Sequence, residues 1–87
     1  MERKVIEEIK LSNGKTAIIY EGTGEDFLTA IEIAGATKNY SLKEITLNLM
    51  ELLIEIDGQK LPAEELGKLP LKDFMKLYTK ISENLLW

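Results

Sequence analysis

The 87-residue sequence has no cysteine and no histidine, and only two prolines and six aromatic residues. Without cysteine, disulfides cannot supplement the core, and thiol nucleophiles and zinc–thiolate sites are excluded. Without histidine, the side chain most often used as a general base at neutral pH is missing. No apolar run approaches the roughly 20 residues needed to cross a bilayer. Met1-Glu2-Arg3-Lys4 leads into charged, alternating sequence with no apolar signal core. Together these features point to the cytoplasm and to no membrane partner. Neither a cofactor nor a metal is expected.

What is present suits one small folded unit spanning residues 1–87. An apolar fraction of 45% argues for a globular chain and against disorder. A chain of this size buries only about 60–65% of its unfolded surface, so the core is real but thin. The net charge of −4 argues against nucleic acid as a partner, because phosphate binding needs a basic surface. The acids concentrate in residues 1–59, which hold 11 of the 15, against 6 of the 11 basic residues. That half reads as a solvated acidic surface.

Hydrophobic periodicity predicts an α+β fold in which an N-terminal β-hairpin packs against three to four helices. Residues 4–11 alternate as a strand, and Asn13-Gly14 is the preferred pair for a tight hairpin loop. A two-residue loop would pair Leu11 with Thr16 and Ile9 with Ile18. Val5, Ile9, Leu11, Ile18 and Tyr20 would then share the face covered by helices. Thr23, Glu25 and Asp26 suit the start of a first helix, with Phe27, Ile31 and Ala34 on its stripe. Ser41-Leu42-Lys43-Glu44 fits a capping box opening a second helix that is expected to reach about Glu55. Its polar stripe is narrow: Glu44, Asn48, Glu51 and Glu55. Asp57-Gly58 then makes a turn. Leu61-Pro62 and Leu69-Pro70 each introduce a helix start, the first stopped by Gly67. The terminal helix carries Phe74, Met75, Tyr78, Ile81 and Leu85 on one face and Lys72, Lys76 and Lys80 as a separate stripe at i, i+4 spacing.

Little in this pattern carries chemistry. The adjacent acids Glu7-Glu8, Glu25-Asp26 and Glu64-Glu65 are explained by solvation and helix-dipole compensation. Gly22-Thr23-Gly24 lacks the third glycine or the Gly-Lys-Ser/Thr ending of a phosphate loop. No catalytic residue is assigned, and the chain is not expected to be an enzyme. The apolar residues that do not fit a single buried stripe are more informative. Leu47, Met50 and Ile54 widen the face of the second helix, Leu77 lies off the terminal helix's main face, and Leu86 and Trp87 end the chain. These six are the expected partner-binding residues, since Trp, Tyr and Met are favoured at interface cores.

The order of these motifs resembles the tail assembly chaperones of contractile-tailed phages, the Mu-like kind. Leu11-Ser12-Asn13-Gly14-Lys15-Thr16 and Glu21-Gly22-Thr23-Gly24-Glu25-Asp26 carry part of the likeness. The most telling stretch is Ile56-Asp57-Gly58-Gln59-Lys60-Leu61-Pro62-Ala63-Glu64-Glu65-Leu66, followed by Leu69-Pro70-Leu71-Lys72-Asp73-Phe74. The resemblance covers roughly residues 9 to 78. It implies a phage- or prophage-encoded protein of the host cytoplasm that binds the tape-measure protein, keeps it soluble and helps the tail tube assemble around it. The tail tube protein is a second candidate partner, and the off-stripe apolar residues leave a second copy of the chain open as a third. Two other readings stay open: a structural tail component that self-assembles, and a small acidic protein-binding regulator.

Overall fold

The computed structural model describes residues 3–36, 38 and 41–86, with the backbone alone at 84–86. The expected α+β class is the class found: a four-stranded antiparallel sheet with four helices. In chain order the elements are β1 (Val5–Lys10), β2 (Thr16–Tyr20), α1 (Gly24–Ala36), α2 (Leu42–Leu53), β3 (Ile54–Ile56), β4 (Gln59–Lys60), α3 (Ala63–Leu66) and α4 (Leu71–Leu86). The sheet order is β1-β2-β3-β4, which leaves β1 and β4 as its edges.

The hairpin forms at Asn13-Gly14, but with three loop residues instead of two. Leu11 N–H donates to the Lys15 carbonyl at 2.8 Å, and Gly14 N–H donates to the Leu11 carbonyl at 3.0 Å. Gly14 sits at φ +85°, the left-handed position that such a bulged loop requires. The extra residue shifts the register by one, pairing Lys10 with Thr16, Ile9 with Ala17 and Glu8 with Ile18. A one-residue shift turns every side chain to the other face. Ala17 and Ile19 therefore enter the core, whereas Ile18 and Tyr20 turn outward and the Tyr20 hydroxyl donates to Glu55 at 2.9 Å.

The second helix also stops earlier than its polar stripe suggests. It ends at Leu53, and Ile54–Ile56 continues directly as a strand on β2, setting Ile54 opposite Ile19 and Ile56 opposite Ala17. Asp57 and Gly58, at φ 50° and 80°, make the two-residue turn into β4. Asp57 also binds Thr16 in both directions, its carboxylate accepting from Thr16 N–H and its own N–H donating to the Thr16 carbonyl.

One core fills the space between the Ala17/Ile19 face of the sheet and the helices, with Met50, Leu66, Leu77 and Ile81 at its centre. In α4 the inward stripe is Asp73, Leu77 and Ile81, while Phe74 and Tyr78 stack at its flank and Met75 turns outward. Asp73 is fully buried. It accepts from the backbone N–H of Ser12 at 3.1 Å and from the Ser12 hydroxyl at 2.6 Å, clamping the hairpin loop to the start of α4. Those bonds to the charged form, Ser12's hydroxyl first, hold the Asp73 carboxyl below the usual aspartate range against the opposing effect of burial.

Candidate functional site

Of the six residues expected to form a docking face, three are closed off from any partner. Met50, Ile54 and Leu77 are sealed in the core, Leu77 with no exposed surface, and Leu47 is half-buried against it. The Leu86 side chain and Trp87 lie outside the described residues. For Ile54 the reason is that the chain has already left the helix for a strand. For Leu77 it is that the inward face of α4 is centred one position away from the Phe74/Tyr78 line, because a buried aspartate belongs to it. Met50 is on the inward side of an α2 packed against α1, α3 and α4.

Among the described residues eight large apolar side chains are left in solvent, three of them on α1: Phe27, Leu28 and Ile33. Asp26, Ala30 and Ala34 form its buried stripe, and the two alanines let α1 approach α2 closely. Asn48, inward on α2, donates from Nδ2 to the Ala30 carbonyl at 3.1 Å and ties the pair. Because the small residues face in, the large ones face out. Phe27 is 38% exposed and Leu28 62%, with half-buried Ile31 between them on the helix surface.

This strip borders a cleft of about 470 Å³ at the β2–α1 junction. Its walls are the loop from Glu21 to Gly24 and the Phe27 ring; Leu49, Leu53 and Ile81 from α2 and α4 form an apolar floor. Gly22 packs close to this floor: a Cβ there would stand 2.8 Å from Leu53 Cδ1, so a larger residue would need the Leu53 side chain to shift.

The rim is fixed by a small polar network. Thr23 N–H donates to the Asp26 carboxylate at 2.8 Å, and Asp26 N–H donates back to the Thr23 hydroxyl oxygen at 3.3 Å, a reciprocal cap on α1. The Arg3 guanidinium grips both carboxylate oxygens of Asp26, at 2.5 and 2.7 Å. Asp26 is buried, yet its carboxyl is held down to about 2. The Arg3 hydrogen bonds are the main cause and the Thr23 donors add to them, while burial opposes both. The acid at position 26 was legible as a helix-start residue, but its arginine partner, 23 residues earlier, carries no local signal.

A ligand in this cleft would meet apolar contact and a few backbone polar groups. Among the described residues no group of three or more acidic, histidine or cysteine side chains could hold a metal, and no helix is long and apolar enough to cross a membrane.

No family model, curated protein or solved structure matches the chain. Any functional reading therefore stands on the residues and their placement.

Proposed function

We propose that the chain acts by binding, not by catalysis, as a tail-assembly-chaperone-type domain of the host cytoplasm. Its client is an amphipathic helix of a tape-measure protein. The observation that carries the reading is the inverted packing of α1: alanines inside, and Phe27, Ile31 and Leu28 outside, beside an apolar cleft. An amphipathic helix presents apolar anchors at i, i+3, i+4 and i+7, and a shallow apolar strip next to a floor of leucine and isoleucine suits such anchors. The likeness in motif order, from the hairpin to the two Leu-Pro helix starts, supplies the identity of the client. The acidic balance of the chain keeps a complex with an oily client soluble.

The test is co-expression with the tape-measure coding sequence from the same genome. The client is expected in the soluble fraction with the parent chain, and in the pellet with Leu28→Glu or Phe27→Glu. Both substitutions sit on exposed positions and should leave the far-ultraviolet circular dichroism spectrum unchanged. A client equally soluble with parent, variant and empty vector would end this reading.

A further inference from the structure

We propose that the groove between the free edge of β1 and the lysine face of α4 takes up an extended acidic peptide as an added strand. The site is separate from the Phe27 cleft, shares no lining residue with it, and stands whether or not that cleft binds a helix. β1 is an edge strand. Leu11 is hydrogen-bonded to Lys15, and Ile9 and Glu7 lie opposite Ala17 and Ile19 in the same register. Antiparallel alternation therefore turns the N–H and C=O groups of Glu8 and Lys10 away from β2, toward the groove. Across about 670 Å³ of open space stand Lys72, Met75, Lys76 and Lys80 of α4.

The charge in this groove runs against the rest of the molecule. Lys10, Lys72 and Lys76 form no ion pair within 4 Å among the described residues, whereas Lys80 is drawn to Glu7 at 3.7 Å and to Glu83 at 3.8 Å. The groove thus carries four lysines against Glu8 and Glu83, with Glu7 beside it holding Lys80, on a chain of net charge −4. Lysines on an edge strand often only guard it from pairing. Here, however, two unpaired ones come from the facing helix, at the i, i+4 spacing that aims both at the same gap. Met75, 46% exposed between them, adds an apolar contact.

A second copy of this chain is the other strand that could fill the edge. With Ile9 opposite its own copy, Glu8 would meet Lys10 on both sides, so β1 alone is self-complementary. The helix wall is not. A two-fold axis through that pairing brings each lysine face toward its symmetry mate, and like charges facing across an interface oppose association. An acidic strand satisfies both the backbone edge and the wall, which is the recognition mode of strand addition.

Fluorescence anisotropy with a labelled peptide of alternating glutamate and valine tests the proposal, against the lysine–valine peptide as control. The acidic peptide is expected to bind and the basic one not. Lys72→Glu combined with Lys76→Glu should weaken binding about tenfold or more, as should added salt. Methylating alternate backbone nitrogens of the peptide should abolish binding, because it removes strand pairing while keeping every charge. Glu8→Pro should do the same from the protein side, since that N–H faces the groove. Failure of the acidic peptide to bind overturns the proposal. So does full binding by the N-methylated peptide, or equal competition by an oligonucleotide, either of which would reduce the groove to an anion-attracting surface. A dimer of the chain alone by light scattering, lost in Lys10→Glu, would assign the edge to self-association instead.

Discussion

Leu77 separates two descriptions of this molecule. Apolar spacing alone sets it off the main face of α4 as an interface residue; in the fold it has no exposed surface and stands between Asp73 and Ile81 in the core. Leu77→Ala therefore removes buried methyl and methylene groups and leaves a cavity, at a cost of about 3–5 kcal/mol. Total stability for a chain of this length is on the order of 4–13 kcal/mol, so the loss is a large part of it. With a urea m-value of about 1.5 kcal/mol/M, the denaturation midpoint should fall by about 2 M or more. Met75, two positions away, is the internal control. It is 46% exposed, and Met75→Ala should change stability by no more than about 0.5 kcal/mol. Urea titration followed by circular dichroism at 222 nm reads both. A Leu77→Ala variant within about 1 kcal/mol of the parent would refute the packing described for α4. So would a Met75→Ala variant that costs as much as Leu77→Ala.

Two further outcomes follow from the polar network and the second turn. The Asp26 carboxyl is held at about 2, below its ordinary 3.8. Its contribution is therefore fully present above the unfolded value and lost as pH falls through the folded one. Asp26→Asn should flatten the loss of stability between pH 4 and pH 2 in acid titrations, and an unchanged acid slope would mean that the Arg3 pair does not stabilise the fold. Gly58 lies at φ +80° in the β3–β4 turn with open space around it. Gly58→Ala should cost about 1–2 kcal/mol through backbone strain alone, whereas Gly24→Ala, which meets nothing within 4 Å and needs no left-handed backbone, should cost less than 1 kcal/mol by the same urea assay.

The hairpin, the α+β class and the two Leu-Pro helix starts were legible because each has a local cause: turn chemistry, alternation or a proline-fixed φ. What was not legible depends on choices that local sequence leaves balanced. Asn-Gly serves both two- and three-residue loops, and in Thr16-Ala17-Ile18-Ile19-Tyr20 either alternate set is apolar enough to be the inner one. The inner set is chosen by long-range pairing: Ala17 with Ile56 and Ile19 with Ile54. The end of α2 was hidden for a related reason. Glu55 continues the helical polar stripe, so nothing in residues 51–56 marks the change to a strand until Asp57-Gly58 folds that strand back. In α4 the inner stripe includes Asp73, and periodicity counts of apolar residues cannot place a buried acid whose partner, Ser12, is 61 residues away.

Large apolar side chains do stand in solvent, and on α1 their location follows from how the core is closed. Ala17, Ala30 and Ala34 occupy positions where sheet and helices meet. Small side chains there bring the elements close and leave no room for larger ones. Phe27 and Leu28 are displaced to the outside of α1 as a direct result. Scattered exposed residues such as Leu42 and Leu71 need no explanation. Phe27, Ile31 and Leu28 differ because they adjoin one another, and Phe27 lines a cleft whose floor is Leu49, Leu53 and Ile81. Enlarging Ala30 to leucine would force α1 away from α2 and strain the Asn48–Ala30 bond. The exposed strip is thus tied to the tight α1–α2 contact, and a stable core and an apolar outer face are set by the same two alanines.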